Sequence, residues 1–220
     1  MILPTTIVDD FLDDPDGIRE YALKQQYTAD PEGNWPGTRS PLLNEINPAL
    51  ANHVTRRIMA LFWDVKNTEV FWESYGGFQL VKQEFQQGWV HQDNGDLVIA
   101  IIYLTPNADP ATGTSLYRRN NLVEPIDPQW GRDKCWGNTT NNWTSERYQK
   151  SRELNNSKYT ETLRVANVYN RLFVTDSSQY HGVPAYETGI ADERLTMTFF
   201  FRKLGSIELS PTQRYRRIVD

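Results

Sequence analysis

Two histidines and one aspartate are, by type and spacing, the residues of this chain best suited to chemistry. His91-Gln92-Asp93 sets an imidazole and a carboxylate two positions apart. On an extended backbone such residues point the same way, so both can face one metal ion. Alone the pair is weak: with 3 histidines and 28 acidic residues in the chain, a His-x-acid match arises readily by chance, and Asn94-Gly95-Asp96 also reads as a plain surface turn. The neighbourhood strengthens it. The run Leu97-Val98-Ile99-Ala100-Ile101-Ile102-Tyr103-Leu104 follows at once and is apolar on both faces, as a central strand covered on both sides is. His181 closes a second strand-then-turn pattern that starts at Asn170. Further on, Arg194, Thr196 and Thr198 share one face of a strand while Leu195, Met197, Phe199 and Phe201 share the other. One face packs a core and the other lines something polar. A planar guanidinium there is a natural receptor for a buried carboxylate.

The elements that must position these residues fall into three parts of a single 1–220 domain. Residues 1–70 hold a short strand through Ile7 and Val8, a helix near Asp16 to Gln26 behind Asp13, Asp14 and Pro15, a polar loop at Asn34-Trp35-Pro36-Gly37, and a second helix from Pro48 to Phe62. Leu50, Val54, Ile58 and Leu61 recur at helical spacing in that second helix, so both helices are expected to cover a sheet. From Phe71 the pattern changes to short strands, roughly Gly77 to Phe85, Leu97 to Leu104, Leu163 to Val174 and Arg194 to Lys203, with Gly, Pro, Asn and Asp between them. The fold expected is mainly β with flanking helices, a β-sandwich or jelly roll whose core is 71–117 and 164–204. The stretch 118–163 reads as an insertion: polar, without sustained period, carrying Trp130, Trp136 and Trp143. From Arg118 to Arg164 it has nine Lys or Arg against six Asp or Glu. It is expected to be a substrate-facing lid or, equally, a packed surface elaboration or oligomer contact.

Composition narrows the classes. Cys135 is the only cysteine, which excludes an intramolecular disulfide, a thiolate zinc cage and an iron–sulfur cluster within one chain, and points to a reducing, cytoplasmic setting. The start has no basic n-region, and no run approaches the ~20 apolar residues that cross a bilayer. A net charge of -5 disfavours a phosphate-backbone binder, so nucleic acid is not the expected partner. A small molecule or a protein side chain is; the oligomeric state is not readable. His53, in the second helix, and Cys135 are assigned no role.

Taken in order, His91, Asp93, His181, Arg194 and Thr196 resemble the motif of the 2-oxoglutarate/Fe(II) oxygenase superfamily. Its double-stranded β-helix, a cupin-like jelly roll, carries a His-x-Asp, a distant His and then an Arg-x-Ser/Thr. Ala100-Ile101-Ile102-Tyr103-Leu104 is similar to the strand after the first metal ligands in prolyl-hydroxylase-like members, and Gly113-Thr114-Ser115 to their Gly-Gly-x-Thr turn. The opening Val8 to Pro15 and the Trp35-Pro36-Gly37 are similar to uncharacterised oxygenase-like proteins of phages and marine bacteria. The chain departs from the pattern in the 87 residues between Asp93 and His181, in the missing second glycine of the turn, and in an arginine where prolyl hydroxylases carry lysine.

The resemblance implies Fe(II) held by His91, Asp93 and His181, and 2-oxoglutarate gripped by Arg194 and Thr196. The Tyr103 hydroxyl would either reach that cosubstrate or simply be core. With O2, the implied reaction is hydroxylation of an unidentified substrate as 2-oxoglutarate is decarboxylated to succinate. Asp93 stands where the superfamily's halogenases carry a small residue, so no halide is expected. Trp89, on the side of His91 and Asp93, is either a substrate wall or rim packing. Two rival readings are a non-enzymatic jelly-roll module, for binding or virion-associated, and a metal-dependent cupin-like isomerase without a keto acid.

Overall fold

The apolar run after Asp93 becomes the middle of a sheet. The computed structural model describes residues 3–30, 35–93, 95–120, 146–187 and 193–219. In chain order the elements are β1 Thr6–Val8, α1 Pro15–Leu23, β2 Thr28–Ala29, β3 Thr38–Arg39, α2 Leu43–Ile46, α3 Pro48–Ala60, β4 Val70–Lys82, β5 Val98–Tyr103 and β6 Thr114–Arg119. They continue with α4 Glu146–Asn156, β7 Tyr159–Val165, β8 Leu172–Asp176, β9 Tyr180–Gly182, β10 Glu193–Ser206 and α5 Pro211–Val219. A seven-stranded sheet runs β1-β8-β5-β10-β4-β3-β2, and a three-stranded one runs β7-β6-β9. All pairings are antiparallel. This is the expected mainly-β architecture of the jelly-roll type with flanking helices.

Alternation along the strands separates the two faces of the large sheet. Leu195, Met197, Phe199 and Phe201 of β10, with Val98, Ala100 and Ile102 of β5, pack one face against Ala22 of α1 and Val54, Ile58 and Met59 of α3. Each of the larger side chains in this layer contributes roughly 1.5–3 kcal/mol on burial, so the layer is the main source of stability. On the other face Tyr103, Phe173, Leu116 and Val165 fill part of the space between the sheets. Arg194, Thr196, Thr198 and Phe200 line a cavity in the rest.

The helices start where cap chemistry places them. Asp14 accepts a hydrogen bond from the Gly17 N–H at 2.9 Å with Pro15 in the first turn, and Asn47 does the same for Leu50 at 3.1 Å ahead of Pro48. No helix among the described residues is long and apolar enough to cross a membrane.

Three expectations are corrected. The run read as one strand from Leu163 to Val174 is two, β7 and β8, in different sheets. Between them Asn170 takes φ +61, and its side-chain amide bridges the Leu12 N–H and C=O at 2.8 and 2.9 Å. β4 begins at Val70, and Gln83–Phe85 form a 3₁₀ turn, so the expected strand end at Phe85 is displaced. The insertion is also narrower than 118–163: Arg118 and Arg119 complete β6, and Tyr159 to Leu163 belong to β7. β7 is largely exposed and carries polar residues on both faces, so it lacks the alternation that marks a half-buried strand. Residues 121–145, with Trp130, Cys135, Trp136 and Trp143, lie outside the described residues.

Candidate metal centre

His91 and His181 meet across the edge of the small sheet, where each backbone N–H donates to the other's carbonyl at 2.9 Å. Residues paired in this way project to the same side, and the two imidazole centroids lie 4.4 Å apart. Asp93 is fixed by its own N–H, which donates to the Ser177 carbonyl at 3.1 Å. Its Oδ1 is 3.5 Å from His91 Nε2 and its Oδ2 is 3.3 Å from His181 Nε2. One ligand atom from each residue falls within 4.8 Å of the others.

The tautomers follow from the outer contacts. Nδ1 of His91 lies 2.9 Å from the Trp89 carbonyl and Nδ1 of His181 lies 2.9 Å from that of Gln179. A carbonyl only accepts, so each Nδ1 carries a hydrogen, and a ring that gives up its second proton turns an Nε2 lone pair inward, as a metal-ligating histidine does. Burial favours the neutral form of Asp93, but hydrogen bonds and charge from His181 and His91 outweigh it and hold this carboxyl well below the usual range. Burial likewise favours neutral His91, and Asp93 outweighs it, so this imidazole titrates above its ordinary value. A divalent cation seated here takes over the compensating charge and displaces that proton. Two imidazoles and one carboxylate, leaving positions free, fit Fe(II).

The triad opens on a cavity of about 360 Å³. Strand register sets its floor. Thr196 is paired with Tyr103 on one side and Gln79 on the other, and Gln79 with Arg39, so these four residues form a row on the inner face of β5, β10, β4 and β3. Arg194, on the same face of β10, is only 3% exposed. Its Nε donates to the Thr112 carbonyl at 2.6 Å, while its Nη2 is buried with no partner among the described residues. The Thr196 hydroxyl oxygen is equally orphaned. Unmet donors of this kind cost ~1–3 kcal/mol each, so a paired orphan guanidinium and hydroxyl facing one cavity mark a place for an anionic acceptor. Burial pushes Arg194 below the ordinary guanidinium value, against the opposing influence of Tyr103 and Tyr186. Gly113 keeps the Thr112 carbonyl in place, since a Cβ there would sit 1.8 Å from the Val165 carbonyl oxygen.

Two expected site residues are placed differently from their neighbours. Tyr103 is fully buried with its hydroxyl donating to Thr114 Oγ1 at 2.9 Å, and Arg194 lies 5.3 Å above its ring. Thr114 forms the wall and Tyr103 stands behind it. Trp89 lines the cavity and is also packed edge-on against Tyr148 of α4, to whose hydroxyl its Nε1 donates. His53 is exposed on α3. Sequence reasoning missed Arg39, Tyr75, Gln79 and Phe200, which reach the cavity through the pairing of β3 with β4 and β4 with β10. The alternation Tyr75, Gly77, Gln79 on β4 was the available signal.

α4, from the expected insertion, straps the segment leading to His91. Asn155 donates to the Val90 carbonyl at 3.0 Å, Asn156 accepts from the Val90 N–H at 2.9 Å and donates to the Gly88 carbonyl at 3.0 Å. Buried Arg152 donates to the carbonyls of Phe85 and Gln87 at 2.9 and 3.1 Å. Arg152→Ala is expected to lower stability by roughly 1.5–3 kcal/mol and to weaken iron binding, because buried carbonyls lose a charged donor in the segment that leads to a candidate metal ligand. Thermal melts and metal analysis read this; an unchanged melting temperature would contradict the strap. Removing α4 should likewise cost iron binding, which favours the packed elaboration over the lid of the two expected alternatives.

A family model described as "Family of unknown function (DUF6445)" matches residues 3–201. No curated protein matches the sequence. Among solved structures, HygX from Streptomyces hygroscopicus with nickel and 2-oxoglutarate bound is similar at a TM-score of 0.55 and 14% identity, over 91% of this chain and 83% of that one. The same protein with nickel, 2-oxoglutarate and hygromycin B bound gives 0.54 and 15%, over 91% and 83%. A prolyl hydroxylase in complex with a hypoxia inducible factor oxygen degradation domain peptide fragment, from Trichoplax adhaerens, gives 0.52 and 14%, over 96% and 86%. At these identities the likeness establishes the fold, that of the 2-oxoglutarate/Fe(II)-dependent oxygenases.

Proposed function

We propose that this chain, which belongs to the DUF6445 family, is an Fe(II)- and 2-oxoglutarate-dependent dioxygenase that hydroxylates a small-molecule or protein side-chain substrate. The observation that carries the reading is the presence, in one cavity, of three convergent metal donors and an orphaned, buried guanidinium N–H. His91, Asp93 and His181 would hold the iron. Arg194 and Thr196 would bind the distal carboxylate of 2-oxoglutarate, with Tyr103 and Thr112 fixing the guanidinium. When bound, iron with 2-oxoglutarate and O2 supplies the oxidising equivalents, and the cosubstrate leaves as succinate and CO2.

The rest is the work of the chain itself. Ile99, Ile101 and Phe200 give the cavity an apolar wall that excludes water from the reacting carbon. The Nδ1 bonds of both histidines hold the ring planes. The Asp93 carboxylate occupies the place a halide would need, so the reaction is oxidation without chloride. We read residues 1–220 as one oxygenase domain. Known relatives of the fold bind nickel and 2-oxoglutarate in HygX and a peptide in the T. adhaerens enzyme, which supports this reading. A binding module would have no use for a buried orphan cation facing a convergent His-Asp-His set.

Purified protein given Fe(II), 2-oxoglutarate and air should form succinate slowly even without its substrate, at a rate indifferent to chloride. No succinate from protein carrying both iron and 2-oxoglutarate, or a chloride requirement, would contradict the proposal.

A further inference from the structure

A second guanidinium faces the cavity from β3, two strands from Arg194 and so roughly 10 Å away along the sheet. The Arg39 Cζ lies 4.3 Å from the centre of the Trp35 ring, over its face, and 5.9 Å from that of Phe200. It is held there by its surroundings. Gln79, its register partner on β4, donates to the Pro36 carbonyl at 2.9 Å and fastens the loop that carries Trp35. Gly37 in that loop takes φ +72, and a Cβ on it would sit 2.0 Å from the Leu80 carbonyl, so the loop is pressed onto β4 where no other residue fits.

Among the described residues no carboxylate forms an ion pair with Arg39; Asp93 and Asp30 act on it only at longer range. Arg152 and Arg194, the fully buried arginines among the described residues, donate to backbone carbonyls. Among the described residues Arg39 makes neither a side-chain hydrogen bond nor an ion pair, only its two ring contacts. The described carboxylates that line the cavity are engaged elsewhere: Asp93 lies between two histidines, and Asp96 accepts from the Tyr75 hydroxyl at 2.8 Å and lies 3.6 Å from Arg202. Burial lowers the Arg39 titration point, with Asp93 opposing, so its head is desolvated and within electrostatic reach of the triad. The Trp35 indole N–H, on the same wall, is also buried without a partner among the described residues.

Building on the oxygenase reading, we infer that Arg39 selects the substrate and that the substrate carries a carboxylate. The Arg39 fork binds this group, and the carbon to be oxidised extends toward His91, Asp93 and His181. A carboxylate matches one planar fork with two parallel acceptors, whereas a phosphate ordinarily recruits several cations or a run of backbone N–H groups. Charge points the same way. Iron(II), doubly charged 2-oxoglutarate, Asp93, Arg194 and Arg39 together leave a residual positive charge, which a monoanion cancels. Trp35, Phe200 and Tyr75, the last two stacked at 5.2 Å, offer flat apolar surface beside the fork.

The test uses the full chain with Zn(II), redox-inert and diamagnetic, and saturating 2-oxoglutarate. Dissociation constants of benzoate, benzamide and phenyl phosphate are read by saturation-transfer NMR. Benzoate should bind about tenfold or more tighter than benzamide, as a charge-assisted pair requires, and tighter than phenyl phosphate. Arg39→Gln, which keeps the stem on Trp35, should erase the preference for benzoate over benzamide while leaving 2-oxoglutarate affinity within about twofold. Arg39→Lys should restore part of it. Equal binding of benzoate and benzamide by the wild type, tighter phenyl phosphate, or an undiminished preference in Arg39→Gln overturns the assignment. So does a loss of 2-oxoglutarate in Arg39→Gln as large as that in Arg194→Ala, which would make Arg39 a cosubstrate ligand. Failure of 2-oxoglutarate to bind the wild-type zinc protein is a different result, and it sinks the oxygenase reading itself.

Discussion

His91→Ala, Asp93→Ala and His181→Ala are each expected to abolish stoichiometric iron binding. The three donors are held by separate backbone restraints, the mutual bridge of His91 with His181 and the Asp93 N–H on Ser177, so removing one side chain leaves the other two in place but only two to bind with. Two ligands do not compensate for the third, and the cavity beside them offers Arg39 and Arg194, which repel a cation. Asp93→Ala has a further cost, because it takes away the negative charge that both imidazoles face at 3.3 and 3.5 Å. The backbone pairing survives each change, so melting temperatures should move far less than metal content. Metal analysis of desalted variants reads the outcome. Full occupancy in His181→Ala would remove that residue from the site.

Arg194→Ala is expected to weaken 2-oxoglutarate binding by about ten- to a hundredfold, the equivalent of ~1.5–3 kcal/mol for a charge-assisted contact, with iron binding nearly unchanged. The guanidinium is buried, its Nε donates to the Thr112 carbonyl, and its Nη2, without a partner among the described residues, is left for the proposed ligand. Arg194→Lys should recover part of the loss, because an ammonium restores charge without the fork. The measurement is calorimetric titration of 2-oxoglutarate into metal-loaded protein. Unchanged affinity in Arg194→Ala would sink the assignment.

What could be read from the sequence, and what could not, divides by the range of the information. α3 and β10 were legible because burial on one face writes a period into consecutive residues, β5 because burial on both faces leaves an unbroken apolar run, and α1 because Asp14 and Pro15 mark its start. The His91–Asp93 pair, which the structure brings together with His181, was legible because its members are two residues apart, and the proposed roles of His181 and Arg194 rest on the resemblance that pair opened. α4 was not legible: it attaches to 85–91 through Arg152, Asn155 and Asn156, a polar strap with no apolar stripe to announce it. β7 is exposed on both faces from Thr160 to Arg164, with only Val165 buried, and that stretch reads as loop. Arg39 and Gln79 enter the site only through the register of β3 on β4, a long-range pairing that no local spacing encodes. Tyr103 was left open between cosubstrate contact and core, and it is Thr114 of the small sheet, to which its hydroxyl donates, that lines the cavity.

The central claim, one cavity that binds iron through His91, Asp93 and His181 and 2-oxoglutarate through Arg194, is tested most directly by an anaerobic titration of the Fe(II)-loaded protein with 2-oxoglutarate. The signal is the weak visible charge-transfer absorption of a keto acid chelated to iron(II). The account predicts a band that saturates at one equivalent, is absent without iron, and shifts to much higher 2-oxoglutarate concentration in Arg194→Ala. Iron-loaded protein that develops no band, or wild type and Arg194→Ala that titrate alike, would contradict it.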